Sequence, residues 1–429
     1  MQIKVLYLII SGTLLINLLK GFNLVNLESN FVVNIFILLF SIIIIFLILT
    51  ENNNSKIINN LKYFIILTFV IRLLLMYWDV YFSSIVSLPG SGMDTLAFDR
   101  WAKEYVNNDL NGVNGYAAVL GIIYKIYYPN ALWGQYLNVI LSILTIYIVQ
   151  EIFSKLEIKD KYKVFGILIL CFIPNYLISS SILLRESIVI FLLALSIRNF
   201  LIWWQSGKNI YVLNSLISIL CATYLHSGTI AYALALFLII AFANNKDRNF
   251  KINISTFTLG GLAIVFFIVI YSFFGNIFLG YANGIESVED FVDKSENAAY
   301  GNAAYSANLI ESNSVLGLLV NSPIRALYFL MSPLPWDWRG LGDVIAFLTS
   351  SLFYFLALFY GFKALNIKKY RNKNLLIAIL IFSLTSAFIY SWGVSNAGTA
   401  IRHRDKFLVV YLMILVISLD GLSKKNKNT

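Results

Sequence analysis

Residues 395–407 read SNAGTAIRHRDKF and place Arg402, His403, Arg404, Asp405 and Lys406 in consecutive positions between two strongly apolar runs. An arginine offers a planar fork that grips phosphate or carboxylate at two points and stays charged, while an imidazole takes up or releases a proton near neutrality. On a helix Arg402 and Arg404, two apart with His403 between them, cannot all face one way, so at least one turns into the protein. A paired anion such as a diphosphate would stabilise the cluster.

Three further stretches carry chemistry. SSSILLRESIVIFLL sets Arg185 beside Glu186 at a helix end, either as a local ion pair with Glu186 on the helix dipole or as a ligand-facing Arg held by its neighbour. NSPIRALYFLMSPLPWDWRG joins Arg325, Trp336, Asp337, Trp338 and Arg339. Tryptophans serve as interfacial anchors, and rings beside acidic and Arg groups also suit a sugar, whose apolar faces stack while its hydroxyls take hydrogen bonds. LPGSGMDTLAFDRWAKEYVNN spaces Phe98, Trp101, Ala102 and Tyr105 along one side of an amphipathic helix, with Asp99, Arg100, Lys103 and Glu104 opposite. Asp94 ahead of it serves as an N-cap, a general base, or both. The two histidines are His226 and His403. Cys171 and Cys221 lie in apolar runs with no Cys or His at ligand spacing, so neither a disulfide framework nor a zinc site is expected.

The elements that must hold these residues are membrane helices. The chain is 59% hydrophobic and 13% charged, and its apolar runs are continuous rather than alternating, which predicts an all-α polytopic integral membrane protein rather than a closed barrel. Apolar segments near residues 4–22, 31–50, 63–82, 131–153, 164–183, 187–205, 209–225, 229–243, 253–274, 342–362, 374–391 and 406–421 predict about 12 transmembrane helices. The first is read as a retained helix, since no small-x-small cleavage site follows it. Two shorter stretches, 114–128 and 314–333, are expected to be re-entrant or interfacial. The whole chain, 1–429, is expected to be a single transmembrane domain, with 83–130 an outer loop bearing the amphipathic helix and 275–341 a large outer loop. Part of the latter, ESVEDFVDKSENAAYGNAAYSANLIE, is acidic and lid-like.

Charge sets the expected orientation. With both termini cytoplasmic, the inner connectors collect 17 Lys and 2 Arg, against 5 Lys and 6 Arg outside, and Arg72 and Arg198 fall within spans. Topology needs only positive charge, which Lys supplies, so the outer Arg set (Arg100, Arg185, Arg325, Arg339, Arg402, Arg404) points to anion recognition on the outer face. The net charge of +10 is scattered among short loops with no basic module, which argues against nucleic acid as a partner.

Many helices, a large late outer loop, an amphipathic helix after an early span, and the segments GTAIRHR and SPLPWDWR together resemble the Wzy-type polymerases of O-antigen and capsule synthesis, within the GT-C-like membrane glycosyltransferases. The resemblance implies joining of undecaprenyl-diphosphate-linked glycan repeat units at the outer face of a bacterial cytoplasmic membrane, in the company of a flippase and a chain-length regulator. It implies neither cofactor nor metal. Arg185, Arg402 and Arg404 would then meet the diphosphate, with Arg100, Arg325, Arg339, Trp336, Trp338 and His226 binding substrate. Asp94, Glu186, Asp337 and His403 compete for the base that the acceptor hydroxyl needs. A GT-C enzyme adding one sugar from a polyprenyl-phosphate donor, and a flippase of lipid-linked oligosaccharide, are the alternative readings.

Overall fold

The structure is a computed structural model that describes residues 2–21, 29–51, 56–108, 114–243, 315–367 and 370–425, together with residues 250, 258, 261, 290, 303–305, 307 and 309. The described residues are helical, with only two isolated β-bridges, so the all-α expectation holds among them. Among the described residues, seven helices are long and apolar enough to cross a bilayer: Asn30–Thr50, Leu61–Tyr81, Ala131–Lys155, Glu186–Ser206, Leu341–Leu365, Lys373–Trp392 and Ala397–Lys424. This is a helical membrane protein. The chain divides into two compact units, Met1–Glu151 with Ile167–Phe191 and Ile152–Gly166 with Leu192–Thr429.

Four shorter apolar helices among the described residues, Gly115–Ile126, Ile210–Leu225, Ser227–Phe242 and Leu316–Met331, fall short of the roughly 20 residues that a perpendicular crossing takes. The first and last match the stretches expected to be re-entrant or interfacial. The expected span 164–183 is interrupted: Asp160–Phe172 stops at Ile173, which is extended (φ −62°, ψ 119°), and Pro174 opens a separate helix, Pro174–Ser179. Proline disfavours helical geometry in the residue before it and is tolerated at a first helical position. The segment 253–274 lies outside the described residues, apart from Thr258 and Gly261, as does most of 275–314.

In the first unit, the helices Met93–Val106 and Gly115–Ile126 pack together. Gly121 permits this approach, because a Cβ there would lie 2.4 Å from Tyr105 Cδ1. Phe98 and Ala102 are buried, as the amphipathic pattern requires, while Arg100 and Lys103 are exposed. The expected cap is displaced by two residues. Gly92, at φ +131°, is the N-cap, and Thr95 Oγ1 donates to Gly92 O (2.9 Å) and accepts from Gly92 N (3.1 Å). Asp94 stands exposed in the first helical turn, where a carboxylate is favoured by the helix dipole without capping.

In the second unit, the last helix, Leu408–Lys425, is buried from Leu408 through Ile417, as expected of a helix that is apolar all round. It packs against Leu352–Leu365 and Lys373–Trp392. A Cβ on Gly361 would come within 2.8 Å of Ile414, so this crossing depends on glycine. The last helix does not begin at the charge cluster. A helix from Ala397 to Arg404 runs through a tight turn, Asp405–Phe407, into Leu408–Lys425, which places Arg402, His403 and Arg404 inside a nearly continuous helix. Opposite them, the helix Leu341–Leu365 widens into a π-turn over Phe347–Ser351 and buries Ser350 and Ser351. Such widenings recur at functional positions.

Candidate functional site

The helix Ala397–Arg404 starts with Asn396 as N-cap, its Oδ1 accepting from Thr399 N at 3.2 Å, and ends on Arg402, His403 and Arg404, ahead of the tight turn. Arg404 is fully buried. Its Nη1 donates to Leu330 O (2.8 Å) and Ser332 O (2.7 Å), its Nε to Ser350 Oγ (3.0 Å), and its Nη2 to Ser351 Oγ (3.0 Å). The guanidinium also lies over the Tyr354 ring, 5.4 Å from its centroid. The inward-turning member of the pair is therefore Arg404, and its fork ties three helical segments together. Tyr354 completes the knot by donating to Arg404 O (3.0 Å) and to Asp405 Oδ1 (3.3 Å). Arg402 and His403, in the same last turn, keep partial exposure.

His403 meets His226. The two rings stand edge to face with centroids 4.8 Å apart, and His226 Nδ1 lies 3.0 Å from the Tyr390 hydroxyl. Tyr390 also stacks on His226 (5.4 Å, 12° between planes) and meets His403 edge-on at 5.9 Å. The cluster is floored by Phe407 and Phe329, at 4.8 and 5.7 Å from the Tyr390 ring. Gly228, two residues past His226, lies so close to Tyr390 that a Cβ would come within 2.7 Å of its ring. Three rings able to hold or pass a proton thus meet at His403, the residue after Arg402 in the chain.

Arg325 lies nearby in sequence-distant company. It is buried with its guanidinium 4.2 Å from the Trp392 ring centroid, donating from Nη2 to Ser395 Oγ (3.0 Å) and from Nε to Ser391 O (3.4 Å). The end of the long loop docks on the same turn: Tyr305 N donates to Ser395 O (3.0 Å), Tyr305 Oη to Val394 O (3.1 Å), and Ala397 N to Ala303 O (2.9 Å). Burial pushes the Tyr305 phenol above its ordinary range, with Arg325 and Arg404 pulling the other way. Trp336 and Trp338 stand apart on the exposed side. Trp336 Nε1 donates to Tyr328 Oη (3.1 Å) and Trp338 Nε1 to Pro333 O (3.2 Å), with Asp337 in the turn between them. Arg339 is exposed and forms a two-point pair with Asp343, Nε to Oδ2 at 2.8 Å and Nη2 to Oδ1 at 2.7 Å.

No family model, curated protein or solved structure matches this chain. Its chemistry is therefore read from the residues alone. Among the described residues, no three His, Cys, Asp or Glu side chains are grouped to hold a metal ion.

The remaining candidates belong to the first unit. Arg185 lies 5.7 Å over the Phe98 ring, which stands edge-on to Tyr116 at 4.9 Å, and Glu186 is buried in the first turn of Glu186–Ser206. The turn that presents both is fastened by Asn138, whose Nδ2 donates to Ile182 O (2.8 Å) and Leu184 O (2.7 Å). Burial, together with the neighbouring Glu186, raises the Tyr116 phenol, while the Asn138 hydrogen bond and Arg185 lower it, for a net upward shift. Arg100 is exposed, 3.8 Å from Glu104. Sequence reasoning missed Tyr390, Tyr354, Ser350, Ser351 and Asn138. Each is a polar side chain inside an apolar run, and only the facing helix gives it a partner.

Proposed function

We propose that this protein is a membrane glycosyltransferase that joins undecaprenyl-diphosphate-linked repeat units at the outer face of a bacterial cytoplasmic membrane, as a polysaccharide polymerase. The observation that carries this reading is the meeting of His226 and Tyr390 with His403, the next residue after Arg402 on the same helix. It supplies a proton acceptor and a two-point anion ligand within one helix turn.

In this reading the acceptor hydroxyl of one lipid-linked repeat attacks the anomeric carbon of another. The new glycosidic C–O bond forms as the bond to the diphosphate oxygen breaks, the hydroxyl proton passes to His403, and the diphosphate leaves with its lipid. His226, oriented by Tyr390, faces the ring of His403 and steadies the proton there. Arg402 meets the charge that builds on the leaving diphosphate, a role in which a preorganised fork is worth most. Arg404, with its hydrogen bonds given to Leu330, Ser332, Ser350 and Ser351, is reassigned from diphosphate ligand to positioning residue. Trp336 and Trp338, with exposed or half-exposed rings, are the sugar-stacking candidates.

The test is deletion of the gene followed by gel analysis of surface glycan. Loss of long chains with retention of single repeats supports polymerisation. Loss of all surface glycan points to flipping, and an altered repeat composition points to single-sugar transfer.

A further inference from the structure

Arg72 sits in the middle of the helix Lys56–Tyr81, within the candidate span Leu61–Tyr81, and is fully buried. Its Nε donates to Ser180 Oγ (2.8 Å). Its Nη1 donates to the Thr68 hydroxyl, to Thr68 O (3.3 Å) and to Cys171 O (3.3 Å). The Tyr176 ring lies 5.2 Å below the guanidinium. These partners are neutral, and no carboxylate lies within ion-pair distance among the described residues. Nη2 is buried and has no hydrogen-bond partner among them. Ser179 adds a buried hydroxyl with no partner among the described residues, three residues from Tyr176 on the same short helix and so on the same side of it.

A cation held within an apolar span without an opposite charge is costly, and a guanidinium edge left without an acceptor adds to that cost. One small anion would answer both, since it accepts from Nη2 and neutralises the charge. Complete burial of Arg72, Thr68 and Ser180 restricts the ligand to something the size of a halide. The partners already in place hold the helix Asp160–Phe172 at the interruption before Pro174, so the anion would sit where the chain changes direction. We propose that Arg72, with Ser179 alongside, forms an intramembrane site for one chloride-sized monovalent anion. The proposal is independent of the glycosyltransferase reading.

The experiment follows thermal unfolding of the purified full-length protein in lipid nanodiscs during titration with sodium chloride or sodium bromide, with sodium gluconate holding the ionic strength. The expected result is a saturable rise in the unfolding midpoint with either halide and none with gluconate, abolished in Arg72→Gln. Equal halide responses in wild type and Arg72→Gln, or no halide-specific response in wild type, would overturn the site and leave the orphan edge to water. Should Arg72→Gln fail to fold, anomalous scattering from bromide-soaked wild-type crystals decides: a peak at Nη2 supports the site, and none there refutes it.

Discussion

His226 and His403, the two histidines of this chain, meet ring edge to ring face at 4.8 Å, with Tyr390 stacked on the first and edge-on to the second. Two imidazoles this close would repel each other if both carried a proton. In the proposed reaction the acceptor's proton passes to this pair at His403.

Replacing His403 by Asn should lower chain formation from purified lipid-linked repeat units by about 10²-fold or more, the typical contribution of a positioned base. Tyr390→Phe should keep the stacking and lose the contact to Nδ1, giving a smaller loss. Wild-type rates in His403→Asn would remove the histidine from the mechanism.

Arg402→Lys and Arg404→Lys should separate. Lysine at 404 cannot serve the four acceptors that the fork reaches, so the expected effect is lost stability, about 2 to 4 kcal/mol, read as a lower unfolding midpoint. Lysine at 402 should leave stability near wild type and slow turnover by roughly tenfold to a hundredfold. Normal turnover in Arg402→Lys would reduce that residue to a helix-end charge.

The dock of residues 303–305 on 394–397 makes a hydrogen-exchange prediction. The amides of Tyr305 and Ala397, which donate to Ser395 O and Ala303 O, should exchange slowly. Tyr305→Ala removes the phenol that holds Val394 O and should speed exchange at both by about tenfold. Unchanged protection would show that the backbone bridge stands without the side chain.

In the first unit, Tyr124 Oη donates to Asp99 Oδ1 at 2.6 Å, and burial, then Asp99 beside it, pushes the phenol well above its ordinary range. The folded state thus holds this proton more tightly than the unfolded chain. Its contribution to stability is complete below pH of about 10 and is lost as pH rises beyond that. Alkaline unfolding of Tyr124→Phe should show a shallower loss than wild type, and parallel curves would contradict the assignment.

The orientation can be tested by cysteine labelling in a Cys221→Ser background, since Cys221 is exposed and Cys171 is buried. A cysteine at Ser295 should react from outside intact cells and one at Asn428 only after permeabilisation. Equal reaction at both would overturn the arrangement of Lys-rich connectors inside.

What the sequence determined by itself was the local structure. Apolar runs with no water to satisfy their backbone must be helical, and nearly every expected segment among the described residues lies on a helix. The period of Phe98 and Ala102 marked the buried face of Met93–Val106, and the spacing of Arg402 and Arg404 required one of them to turn inward. Which one was a tertiary decision. Arg404 is drawn in because a π-turn presents Ser350 and Ser351 while carbonyls 74 and 72 residues earlier face the same point. Tyr390 reads as one more aromatic in an oily run until His226, 164 residues away, is set against its hydroxyl. Local pattern encodes how a segment meets lipid, water or its own backbone. A hydrogen bond between segments depends on how several helices pack, and no periodicity within any one of them carries that information.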